Sequence, residues 1–116
     1  MIILGCPLKI SSQKTIYFPK LYLEYFKIDT RNDIVIRENH VDYFIYRPYT
    51  ECLLADNEQK AIIYACSTYI PVEFLHQNQL VPGQDFLYLI GIDHGLKVGV
   101  NKQIIQKSVV SDPEIK

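Results

Sequence analysis

Thr15-Ile16-Tyr17-Phe18-Pro19 and Ser67-Thr68-Tyr69-Ile70-Pro71 stand 52 residues apart, and reading the second stretch as a copy of the first decides the fold. The same offset pairs Tyr22 with Phe74, Leu23 with Leu75, Ile28 with Leu80 and Asp33 with Asp85. Beyond them, Ile34-Val35-Ile36 matches Phe86-Leu87-Tyr88 as a second apolar run. So many like-for-like matches without a gap, in so short a window, mark an internal duplication.

Each copy reads the same way physically. A β-rich run (Thr15–Phe18; Ile62–Ile70) is stopped by a proline, which cannot donate to a ladder but suits the start of a helix. A short segment of helical spacing follows, with Leu21, Tyr22, Tyr25 and Phe26 in the first copy and Val72, Phe74 and Leu75 in the second. About two turns of helix are marginal alone, so packing must hold them. In the second copy Val81-Pro82-Gly83-Gln84-Asp85 then predicts a type II turn. The first copy has Asp29-Thr30-Arg31-Asn32-Asp33, where Asn32 is expected to take the left-handed position. Asp33 and Asp85 recur at one place and are expected to bond turn amides. Two hairpins close the copies: Ile34–Arg37 with Tyr43–Arg47, and Phe86–Ile92 with Leu96–Val100, the latter turning at Asp93-His94-Gly95 with Gly95 expected at positive φ.

Outward from the repeat, Ile2–Ile10 is a strand candidate turning at Ser11-Ser12-Gln13. Cys52–Ala55 with Asp56-Asn57-Glu58-Gln59 is its looser counterpart, and Pro48 to about Glu51 is the linker. The units are therefore 1–48 and 49–100, followed by a polar tail, 101–116.

Nine tyrosines and five phenylalanines with no tryptophan suit half-buried strands. No apolar run approaches the roughly 18–20 residues that span a membrane, and a cytoplasmic protein is expected. Cys6, Cys52 and Cys66 are an odd number without metal-finger spacing and read as buried free thiols. Net charge is −1, but it is unevenly spread. Residues 1–48 hold seven basic against five acidic side chains; residues 49–100 hold two against six; the tail holds three against two.

The order strand, turn, strand, Pro-Lys, short helix, hydrophobic-x-x-Gly-x-Asp, strand, hairpin resembles the AbrB/SpoVT/MazE family. Ile10 to Lys20 with Ile28 and Asp33-Ile34-Val35-Ile36 carries the likeness in the first copy, and Leu80-Val81-Pro82-Gly83-Gln84-Asp85 in the second. The resemblance implies a mostly β fold with two short helices: a swapped-hairpin, AbrB-like barrel formed by two tandem copies, in an MraZ-like pseudo-dimeric arrangement. It implies a transcription regulator that grips double-stranded DNA through basic residues on the first strand, the first turn and beside the Pro-Lys step. The matching positions are Lys9, Lys14 and Lys20, with Arg31, Arg37 and Arg47 as additions on the same half. The second copy has Val72-Glu73 where the first has Lys20-Leu21, and Ala65 near the place of Lys14, so its DNA face reads as eroded.

Other constellations weigh less. His40 and His94 fall in hairpin turns and His76 on a short helix, none beside a ligand-spaced carboxylate or cysteine, so no metal and no cofactor is expected. Gly-rich phosphate loops, a Ser/His/Asp arrangement and a nucleophile elbow are missing, so no enzyme is expected. The tyrosines (Tyr17, Tyr22, Tyr25, Tyr43, Tyr46, Tyr64, Tyr69, Tyr88) are expected to line the core and a dimer contact, with a base-stacking platform for single strands as the alternative. A homodimer pairing two basic halves is the expected assembly. The competing function is an antitoxin or accessory protein that binds a toxin or other protein through the acidic second half and tail.

Overall fold

Pro19 and Pro71 each end a strand and open a helix, as a missing N–H and a fixed φ dictate. The computed structural model describes residues 6–100, and in it both prolines sit at the helix N-cap with φ −58°. Their carbonyls accept the first amides of the turn, from Tyr22 at 3.0 Å and Phe74 at 3.1 Å. The helices α1 (Lys20–Tyr25) and α2 (Val72–Gln77) have six residues each. Leu23 in α1, and Phe74 and Leu75 in α2, are buried and hold them in place. Both stop in the same manner. Ile28 donates to the Leu23 carbonyl and Leu80 to that of Leu75, each at 2.9 Å. The residues before them, Lys27 (φ 60°) and Gln79 (φ 54°), are left-handed, a Schellman stop without its usual glycine.

Among the described residues there are also eight strands: β1 (Cys6–Lys9), β2 (Thr15–Tyr17), β3 (Asn32–Asn39), β4 (Tyr43–Pro48), β5 (Glu58–Tyr64), β6 (Ser67–Tyr69), β7 (Phe86–Ile92) and β8 (Gly95–Gly99). They form one antiparallel sheet in the order β1-β7-β8-β4-β3-β5-β6-β2. Its two outer strands meet at the turn between them, where Ser11 donates to the Thr15 carbonyl at 2.9 Å. The sheet is thus a nearly closed barrel.

Going round that order, contacts within a half alternate with contacts between halves. Strand β1 pairs with β7 and β5 with β3, while β2 pairs with β6 and β4 with β8. Ile16 faces Thr68 and Ile45 faces Lys97, each a residue opposite its own copy 52 positions on. A pseudo-two-fold axis therefore passes through both places. The barrel is mostly β with two short helices, built by two interlocked tandem copies. Alternate residues point inward to a single core, including Leu8, Ile16, Val35, Phe44, Leu87 and Val98, each worth roughly 1.5–3 kcal/mol on burial.

Several local expectations are corrected. The second copy's first strand is Glu58–Tyr64, not Cys52–Ala55, and the run Ile62–Ile70 is broken by a turn at Ala65-Cys66. That turn encloses two residues where the 12–14 turn encloses three. The first strands are consequently offset by 53, so that Leu8 facing Leu87 matches Ala61 facing Val35. Lys14 then corresponds to Cys66, not Ala65, and both are left-handed at φ 66° and 64°. Asn32 does not take the left-handed place; it opens β3. The Asp29 carboxylate instead accepts the Arg31 amide at 2.8 Å. Gly83 does have positive φ, 85°. Gly95 does not, and is needed for a different reason: a Cβ there would collide with the Tyr46 carbonyl. The aspartates behave as the repeat predicts, since Asp33 accepts the Asp29 amide at 2.9 Å and Asp85 the Val81 amide at 2.6 Å. Of the cysteines, all free, Cys52 is exposed and Cys6 and Cys66 are half-buried.

The Ala65-Cys66 turn has φ 50° and 64°, a type I′ geometry that asparagine and glycine adopt without strain. The double substitution Ala65→Asn, Cys66→Gly is expected to stabilise the protein by about 1 kcal/mol. Chemical denaturation checks this; an unchanged or lower midpoint contradicts it.

Candidate nucleic-acid interface

The interlocked topology decides where the six basic candidates go. Lys9 is the last residue of β1 and points outward, alternating with inward Leu8 and Ile10. Lys14 closes the turn to β2, and Lys20 opens α1. All three are exposed. Lys9 ends β1 ahead of the turn and Lys14 sits in the turn itself, whereas Lys20 opens α1 beyond the far end of β2. Arg31, in the turn before β3, is also exposed and has a loose ion pair with Asp29 at 3.8 Å.

The other two arginines are engaged within the fold. Arg37 points inward beside Tyr46, and its guanidinium lies 5.4 Å from the centroid of the Phe44 ring. Its Nε donates to Asn39 Oδ1 at 2.8 Å and its Nη2 to Gln59 Oε1 at 2.6 Å. Arg47 pairs with Glu58 at 2.5 Å. The Ala55 amide and the Arg47 guanidinium together hold the Glu58 carboxyl below its ordinary value. The pair ties β4 to the start of β5.

The pseudo-two-fold exposes the asymmetry of the face. Lys9 corresponds to Ile62, Lys14 to Cys66, Lys20 to Val72 and Arg31 to Gly83, so four exposed cations of the first half meet neutral residues in the second. An anion approaching this surface is attracted to one side of the axis.

The tyrosines depart from the core expectation. Only Tyr46 is fully buried; Tyr17 is 62% exposed, Tyr64 67% and Tyr69 70%. Strand alternation carried the signal. With Ile16, Ile63 and Thr68 inward, their neighbours Tyr17, Tyr64 and Tyr69 must point out. Ile62 and Ile34 are exposed on the same outer face. His40 in its hairpin loop stacks on Tyr43 and bonds Glu38 at 2.6 Å.

A cavity of about 420 Å³ lies between α2 and the β3–β4 hairpin, where Phe44 and Phe74 meet and Asn39, Gln59 and Gln77 supply amides. Nothing in the sequence pattern pointed to it, because its walls come from four separate elements. Among the described residues no helix is long and apolar enough to cross a membrane. The tail 101–116, to which the protein-partner reading assigned a role, lies outside the described residues. No protein-family model matches the chain, and no curated protein matches it.

Proposed function

We propose that this chain is a DNA-binding transcription regulator of AbrB-like type, in which one polypeptide supplies both halves of the barrel and the first half supplies the basic face. The observation that carries the reading is the set of exposed cations Lys9, Lys14, Lys20 and Arg31 against neutral counterparts across the pseudo-two-fold axis. Phosphate neutralisation by such residues supplies most of the affinity for duplex DNA, and a few base contacts supply register. A single modest basic side favours pairing of two chains, so the working assembly is a homodimer in the cytoplasm that presents two basic halves to double-stranded DNA.

Gel shift with a random-sequence duplex at low salt tests this. Wild type is expected to bind, and charge reversal at Lys9, Lys14 and Lys20 together (K9E, K14E, K20E) to weaken binding more than tenfold, since each lost phosphate contact also removes counterion release. Absence of binding, or binding untouched by the reversal, overturns the proposal.

A further inference from the structure

We propose that the outer face of β2, β6 and β5 is a stacking platform for the unpaired bases of single-stranded nucleic acid. It rests on the reading that this chain binds nucleic acid, and adds a second mode of doing so.

The register builds the platform. Ser67 of β6 faces Tyr17 of β2 on one side and Tyr64 of β5 on the other. Two strand spacings place those tyrosines about 10 Å apart, with the small Ser67 side chain between them. Aromatic rings make favourable contact at centroid distances of about 4.5–7 Å. A planar base seated over Ser67 is therefore within reach of both rings. Tyr69, opposite Thr15, offers a third ring two residues further along β6.

A cation accompanies the rings. The residue after Tyr69, Ile70, donates its amide to the Lys14 carbonyl at 2.8 Å, and the residue after Tyr64, Ala65, donates to the Arg31 carbonyl at 3.0 Å. Lys14 and Arg31, the latter loosely paired with Asp29, thus border the tyrosine face from its two ends. Lys60 lies on the outward side of β5 with its ammonium over the Tyr49 ring, 4.8 Å from the centroid, and the one carboxylate on that strand, Glu58, is taken by Arg47. Exposed rings bordered by positive charge match a chain of bases on a phosphate backbone. A second copy of this surface would bring like charges together.

Fluorescence anisotropy with oligo-dT, oligo-U and a mixed-sequence duplex, on the full chain, separates the outcomes. Wild type is expected to bind the single strands. The variant Tyr17→Ser, Tyr64→Ser, Tyr69→Ser is expected to lose about tenfold or more in single-strand affinity while duplex binding persists. Phenylalanine at the same three positions is expected to restore binding, because the ring and not the hydroxyl is required. A preference for oligo-dT or oligo-U tells which nucleic acid the platform takes. Single-strand binding unmoved by the serine variant overturns the platform and leaves the DNA reading standing. A serine variant that only converts a dimer to a monomer on gel filtration also overturns it. Failure of wild type to bind any of the three probes overturns both.

Discussion

Gly95→Ala is expected to destabilise the protein by about 3 kcal/mol, at the upper end of what overpacking a close-packed site costs. Gly95 opens β8 next to β4, and an added methyl would overlap the Tyr46 carbonyl oxygen while approaching Arg47 Cβ to 3.3 Å. The oxygen belongs to the backbone of a central strand pair, so it cannot swing aside as a side-chain tip does. Relief requires β8 to move away from β4, which breaks a contact across the pseudo-two-fold axis. Gly83 makes the contrast: its φ of 85° makes alanine strained, but the nearest atom to a new Cβ is 3.7 Å away. Gly83→Ala is therefore the milder change. Urea unfolding measures both; a Gly95→Ala midpoint close to wild type contradicts the packing described.

Raising the pH from well below 10 to well above 12 is expected to remove about 3 kcal/mol of stability through one residue, Tyr46. The ring is fully buried and its hydroxyl has no partner of hydrogen-bond geometry. Burial pushes the phenol up from 10.0 to about 12, even though the neighbouring Arg37 charge pulls it down. The sign follows from the protonation states. Between the two values the unfolded chain has lost the phenolic proton and the folded chain keeps it, so alkali favours unfolding. Below pH 10 the contribution is whole, and above 12 it is gone. Two pH units at about 1.4 kcal/mol each give the magnitude. Denaturation midpoints across this range, with Tyr46→Phe as control, check it. A variant that falls as steeply as wild type contradicts the assignment.

The duplication was legible because its marks are local. Proline stops, short apolar helical spacing and turn aspartates leave the same residues at the same places, and α1 with α2 and β2 with β6 coincide at the 52-residue offset. The second copy's first strand is hidden from the sequence because its turn, Ala65-Cys66, contains neither glycine nor asparagine although both residues are left-handed. Composition does not announce such a turn; only the surrounding ladders impose it. Gly95 misleads for the opposite reason, since a glycine beside a hairpin suggests positive φ, whereas close approach by a distant strand leaves no local trace. The outward tyrosines were readable from alternation once each strand's inward residues are known. Arg37 and Arg47 were not separable from the lysines by sequence, because Gln59 and Glu58, their partners, arrive from the other half of the chain.

Duplex binding through the exposed cations of the first half must weaken steeply with salt. If Lys9, Lys14, Lys20 and Arg31 each neutralise a phosphate, the logarithm of affinity falls with the logarithm of salt at a slope of about −3 to −4 per chain. The K9E, K14E, K20E variant is then expected to show a slope of about −1, or no binding. A wild-type affinity indifferent to salt, or a variant slope equal to that of wild type, contradicts DNA binding through this face.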